Sequence, residues 1–259
     1  MPRDLARTLA RHWDVLVSLT VSDLRARYGR GRLPFIKWVL DPFAVVGVYL
    51  ILTTFVLDRP GENPGLTITC AVVPFQLAML AVVNGMAAVS ARRAIVLNMA
   101  FPRALIPVSS VLTDAAVFSA SFFLFLLMMA AYAVLPTPAM GWLPAVVALN
   151  FVLAVAWAYP ASLIGIWFPD LRPFLVSFVR TLFFLAPGLV TLAEVHGRAH
   201  NLIRLNPLTG LFESYRAVFL YGHAPAAWEI LYPLGFSLLL LAVFVPVYRR
   251  EERQFAKLL

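Results

Sequence analysis

The chain has 259 residues, 61% hydrophobic and only 13% charged, with a formal net charge of +8 and a mean hydropathy of +0.84. A soluble domain is about 45–50% apolar and about 25% charged, and a fold of this length has no interior large enough to hide the excess. A soluble enzyme, a disulfide-framed secreted domain and a disordered regulator are excluded, which leaves an all-α membrane protein that crosses the bilayer several times. The single cysteine, Cys70, lies in an apolar run and reads as a small buried hydrophobe with no disulfide partner in the chain.

Residues 1–33 carry seven arginines and no apolar core ahead of a small-residue cleavage site, so no cleavable signal peptide is expected. Residues 9–28 repeat at helical spacing. Leu9, Trp13, Leu16, Val17, Leu24 and Tyr28 share one face, and Arg11, Asp14, Ser18, Ser22 and Arg25 lie opposite. A basic amphipathic helix with a tryptophan is expected to lie in the cytoplasmic interface, the alternative being a helix packed on a partner.

Six apolar segments follow that are long enough, at 1.5 Å per residue, to cross a hydrocarbon layer of about 30 Å. They are Phe35–Leu57, Leu66–Ser90, Leu105–Leu135, Trp142–Phe168, Phe174–Glu194 and Ala227–Tyr248. Pro42, Pro74, Pro160, Pro187 and Pro246 fall inside them, and neighbouring helices can satisfy the carbonyls such prolines free. With both termini in the cytoplasm, fifteen Lys and Arg residues face inward and four outward, the bias that sets orientation. The expected organisation is an interfacial region at 1–33, a six-helix domain at 34–248 and a basic cytoplasmic tail at 249–259.

Two segments between spans are unusual. The loop 91–104, ARRAIVLNMAFPRA, is basic at its ends and apolar between, as suits either a short helix offered to another protein or an interfacial connector. In the outer stretch 195–226, Asn206 is a cap, Pro207 suits the first helical position and Gly222 ends the turn. A helix from Pro207 to Tyr221 spans about 22 Å, too short to cross and too apolar for water, and so re-entrant or interface-embedded.

Charges within the spans read as functional unless paired. Lys37 and Asp41, four residues apart, suit an interfacial ion pair. Asp114 and Arg180 lie at similar depth and are expected to pair with each other, the alternative being that Arg180 faces a wet pore and meets an anionic substrate. No catalytic constellation is present. The sequence holds no G-x-x-x-x-G-K loop, no H-E-x-x-H and no G-x-S-x-G, and its only lysines are Lys37 and Lys257. His196 and His200 with Glu194 lack the further ligands a metal needs. The acidic residues are scattered except Glu251 and Glu252. Neither an enzyme, a cofactor on this chain nor a nucleic-acid partner is expected.

The order of motifs resembles a known family. DLRARYGRGRLPFIKWVLDPF leads into the first span, FPRALIP precedes the third, FPDLRPFLVSFVRTLFFLAPGLV runs through the fifth, and NPLTGLFESYRAVFL precedes the sixth. Over nearly its whole length the chain resembles the permease subunit of polysaccharide-exporting ABC transporters of the Wzm/TagG type, which move O-antigen, teichoic acid or related lipid-linked glycans. The resemblance implies a bacterial cytoplasmic membrane protein that pairs with a second copy of itself and docks two copies of a separate ATPase subunit, where ATP and Mg bind. It implies a coupling loop with Arg92, Arg93, Leu97, Phe101 and Arg103, and a channel wall with Trp38, Phe43, Tyr49, Phe178 and Phe183. It also implies an outer gate with Asn206, Pro207, Glu213 and Arg216. The chain departs from the family at Pro34–Lys37 ahead of Trp38, and at Asp41, where the family commonly has Asn before the proline. A permease for drugs or other small hydrophobic molecules, or a polytopic glycosyl- or acyltransferase, are the alternatives.

Overall fold

The computed structural model describes residues 2–28, 34–52, 55, 63–99 and 101–255. The side chains of Lys37, Trp38 and Asp41 lie outside that description, as does the end of the first expected span beyond residue 55. All regular structure among the described residues is helical. In chain order the helices are α1 (Pro2–Tyr28), α2 (Pro34–Ile51), α3 (Pro64–Ala87), α4 (Arg93–Asn98), α5 (Leu105–Ala120), α6 (Phe122–Ala131), α7 (Leu143–Trp167), α8 (Arg172–Leu185), α9 (Arg198–Arg204), α10 (Pro207–Arg216) and α11 (Ala227–Glu251).

Four helical stretches among the described residues are long and apolar enough to cross a membrane: Pro64–Ala87, Leu105–Ala131, Pro138–Trp167 and Ala227–Glu251. The first of these is enclosed by the others, whereas α11 is largely open along its length. A 25-residue apolar helix showing Leu231, Leu238, Leu239 and Val243 to the outside has no place in water and is at home against lipid. The second stretch is divided at Ser121 into two helices, α5 and α6.

The fifth expected span is corrected. α8 stops at Leu185 after 14 residues, about 21 Å at helical rise, and does not continue to Glu194. The reason is Pro187. Its ring pushes the preceding Ala186 out of the helical region, to φ −86° and ψ 159°, and the chain runs on through turns to a short helical turn at Leu192–Glu194. Pro74, Pro160, Pro233 and Pro246 sit inside helices instead.

The core forms around α3, which packs on α2, α5, α6, α7, α8 and α10. Its closest neighbour is α7, because small residues let the two backbones meet. A Cβ added to Gly165 would lie 2.0 Å from the Met86 carbonyl oxygen, and one on Gly85 would lie 3.2 Å from that of Ala158. Such close approach is how helices associate in lipid, where burial from water offers no driving force between them. A second cluster closes the opposite end, with Val89, Val96, Ile106, Tyr159, Leu163, Tyr248 and Phe255. Phe255 is fully buried against the Tyr248 ring, 5.1 Å between centroids, so the start of the expected basic tail is packed into the body.

Replacing Gly165 by Leu is expected to abolish the folded monodisperse protein in detergent, because the obstacle is backbone. Gly85→Ala, meeting tight but less severe contact, should cost about 1–3 kcal/mol, read as a lowered thermal midpoint with an unchanged elution profile.

Candidate functional site

Three regions gather the polar and aromatic groups. At the first, a 3₁₀ turn over Ser90–Arg92 leads into α4. Arg92 is buried. Its guanidinium pairs with Asp23 of α1 and donates to the Ala88 carbonyl at 2.9 Å. Arg103 donates to the backbone carbonyls of Glu252 and Val96, and the Ala104 N–H donates to the Glu252 carboxylate at 3.2 Å. These two arginines therefore tie the loop to α1 and to the segment after α11. Each finds its oxygen acceptors within the chain.

Arg93 and Leu97 do point outward, with Met99 beside them 60% exposed. Phe101 is half-buried and lines a cleft of about 810 Å3 between α1 and the loop, together with His12, Ser18, Leu19, Ile95 and Met99. The amphipathic face of α1 is divided. Leu16, Leu19 and Leu24 turn toward the body, with Leu19 buried, while Trp13, Val17 and Val21 stay open in the way of a helix with one side against protein and the next against an apolar medium.

The second region lies between α2, α3, α5 and α8. A cleft of about 580 Å3 is lined by Tyr49, Phe75, Gln76, Arg180, Phe183 and Phe184, among others. Of the expected wall residues, Phe178 is 60% exposed, Tyr49 is half-buried and Phe43 is half-buried, 6.3 Å from the Phe123 ring. Phe183 is 1% exposed and belongs to the packing. Its ring meets Phe75 at 4.7 Å, Tyr49 at 5.6 Å and Phe212 at 5.9 Å. Phe184, one residue on and 61% exposed, holds the open position.

Asp114 is buried and accepts a hydrogen bond from the Asn84 amide at 2.7 Å, while Arg180 lies exposed on α8. The structure gives Asp114 an amide from the neighbouring α3 where an arginine of α8 was expected.

The third region is α10, every residue of which is buried. Asn206 caps it: the side-chain oxygen accepts from the Leu208 N–H at 3.0 Å, and the side-chain amide donates to the Leu182 carbonyl at 2.7 Å, fastening the end of α8 to the start of α10. Pro207 occupies the first turn. After Arg216 the chain widens into a single π-helical turn over Ala217–Tyr221 and stops at Gly222, whose φ of 69° suits glycine. Glu213 accepts from Arg216 at 2.7 Å and from the Leu192 N–H at 3.1 Å, and Arg216, wholly buried, reaches the Gly188 carbonyl. This ion pair holds the irregular stretch after α8 onto α10. Partial burial raises the Tyr221 phenol above its ordinary value, with the Glu213 carboxylate adding to it, so that group stays neutral. Gly197, with φ 75°, stands just ahead of α9 between His196 and His200, and each ring bonds a nearby carbonyl, that of Glu194 and that of Val195 respectively.

The sequence analysis singles out neither Asp23, Asn84, Asn150 nor Glu229, and names Glu252 only for its adjacency to Glu251. Asn84 and Asn150 carried a usable signal, since an amide in the middle of an apolar span needs a partner; Asn150 reaches the Tyr215 hydroxyl at 3.4 Å. Asp23 and Glu252 carried none, because their partners lie 69 and 148 residues away in sequence.

Long apolar helices, an open lipid-suited face and buried polar ties between helices define a polytopic α-helical membrane protein. No family model matches the chain. It is 28% identical over 255 residues, 98% of each chain, to the O-antigen export system permease protein RfbA of Myxococcus xanthus. It is 22% identical over 249 residues, 95% of each chain, to two O-antigen export system permease proteins RfbA of Klebsiella pneumoniae. These relatives bear out the resemblance to the polysaccharide-exporting permeases.

Asp23→Ala and Arg92→Ala should each destabilise the protein by about 1–3 kcal/mol, below the range for a fully buried pair because Asp23 is only partly buried. The double substitution should cost clearly less than the sum, and a double-mutant cycle on thermal midpoints measures the difference.

Proposed function

We propose that this chain is the membrane-spanning permease subunit of an ABC exporter that carries a lipid-linked polysaccharide across the bacterial cytoplasmic membrane, driven by a separate nucleotide-binding subunit. The observation that carries this reading is similarity across 98% of the chain to a protein of that kind, with coverage equally complete in the relative. In the assembled transporter, two copies of this chain form the conduit and two ATPase subunits bind on the cytoplasmic side, holding ATP and Mg. Both termini lie on that side, in keeping with fifteen basic residues there against four opposite. α2 and the stretch containing α8 complete six membrane segments, and α10 with its preceding turns forms a re-entrant gate at the outer face.

The geometry suits transmission of force. Leu97, Met99 and Arg93 present a small apolar and basic surface, and the cleft behind it receives a side chain from the ATPase. Closing of the ATPase pair on ATP pushes that surface. The push passes to α1 through the Arg92–Asp23 pair, and to α11 through the bonds of Arg103 and Ala104 to Glu252. Conduction of a polymer needs repeated weak contacts, and the open rings of Phe178 and Phe184 supply faces on which sugar rings stack without being trapped.

Affinity purification from native membranes should recover a nucleotide-binding subunit in equal amount with this chain, and ATP hydrolysis in the complex. A homomer with no such partner, under conditions that keep a control transporter whole, overturns the reading. Leu97→Glu combined with Met99→Glu should leave this chain folded and weaken retention of the ATPase subunit by about tenfold, roughly 1.4 kcal/mol, with surface polysaccharide falling in parallel.

A further inference from the structure

Arg180 sits where a charge is costly. It is the eighth residue after Arg172, about 12 Å along α8, and between them and on to Leu185 the helix carries no other charged side chain. Asp114, the acid at comparable depth, is held by Asn84. Among the described residues no carboxylate pairs with the Arg180 guanidinium. An arginine left in this position is tolerated when it faces water or a bound anion.

Its surroundings select which anion. Arg180 opens into the 580 Å3 cleft, whose walls include Tyr49, Phe75, Phe183 and Phe184, with the Gln76 amide as a neutral hydrogen-bonding group. Aromatic walls exclude water on one side and strengthen the attraction of the cation for a charge within. A planar guanidinium matches the oxygens of a phosphate in a two-point contact, and its faces stack on aromatic rings. The cleft therefore fits a ligand with a phosphate group attached to an apolar chain. A neutral sugar that must slide gains little from one fixed cation, so the cleft suits the lipid end of the substrate better than a neutral stretch of glycan.

We propose that Arg180 and its cleft form an anion subsite that takes the phosphate or diphosphate head of the lipid-linked substrate on its way through the membrane. The proposal rests on the permease reading and adds to it a group that recognises the lipid end of the cargo.

The test uses the purified complex in neutral detergent, with the wild-type chain, Arg180→Gln, Arg180→Lys and Gln76→Ala, and native mass spectrometry to count bound ligand. The probes are farnesyl diphosphate, farnesol, inorganic pyrophosphate and a short-chain phosphatidylglycerol. Wild-type protein should bind farnesyl diphosphate most tightly of the four. Arg180→Gln should weaken that binding by at least about tenfold and leave farnesol unchanged, and Arg180→Lys should recover part of the loss. Gln76→Ala should weaken it less than Arg180→Gln does. Inorganic pyrophosphate bound as tightly as the farnesyl form would make this a free-phosphate site, and equal binding of phosphatidylglycerol a site for bulk lipid; either result overturns the proposal. Equal affinity in wild type and Arg180→Gln, or a change in oligomeric state with ligand binding intact, also overturns it. Co-purification of the ATPase with all four proteins keeps the permease reading intact whatever Arg180 does, so the two ideas fail separately.

Discussion

Close approach of α3 and α7 at Gly85 and Gly165 fixes the axis of the molecule, because α3 is the helix that the other elements share. Where the Met86 carbonyl rests against Gly165, no side chain fits, and the crossing point is therefore set by backbone. α5 and α2 take their places along α3, α10 lies against both α3 and α7, and α8 leans on α3. In lipid, where Leu on Leu earns little over Leu on an acyl chain, a crossing set by backbone contact supplies the specificity that hydrophobic burial supplies in water. The polar ties then adjust each helix relative to this axis. Asn84 to Asp114 joins α3 to α5, Asn150 to Tyr215 joins α7 to α10, and Ser214 to the Glu229 carbonyl joins α10 to α11.

Much of this was legible in the residues because it depends on local chemistry. Asn206, Pro207 and Gly222 mark the start and end of their segment by rules that need only neighbouring atoms, and the structure places a cap, a first-turn proline and a left-handed glycine at those positions. The long apolar helices follow from composition for the same reason. The fifth segment differs in where its helix ends, at Leu185 and not at Glu194, and the cause is its proline. Composition counts Pro187 as one more residue in an apolar run, whereas the backbone leaves the helical region at Ala186, the residue before it. Pro74 and Pro160 by contrast stay inside helices, as do Pro233 and Pro246 in the largely open α11.

Pairings across the molecule were not legible. Asp114 and Arg180 matched in depth and sign, but depth is one coordinate, and a helix has a rotation as well. The rotation of α5 turns Asp114 inward to Asn84, and that of α8 turns Arg180 toward the cleft. Arg92 and Arg103 entered as coupling residues through the family resemblance, which says nothing of their partners within the chain. Their acceptors come from α1 and from the segment beyond α11, which nothing in the loop itself announces. Phe183 and Phe184 differ by one helical step, and only packing decides which of two adjacent rings is enclosed.

The loop around α4 is braced by two segments made at very different times during synthesis. Asp23 precedes Arg92 by 69 residues, whereas Glu252 follows Arg103 by 149. As the chain emerges from the ribosome, one brace is ready before the loop exists and the other arrives only after α11 has entered the membrane. The surface formed by Arg93, Leu97 and Met99 thus reaches its final position late, and Phe255 closes the cluster beneath it later still. A subunit that assembles with others through this surface gains a form of quality control: an incompletely inserted chain has only half the bracing of the face by which its partners would know it.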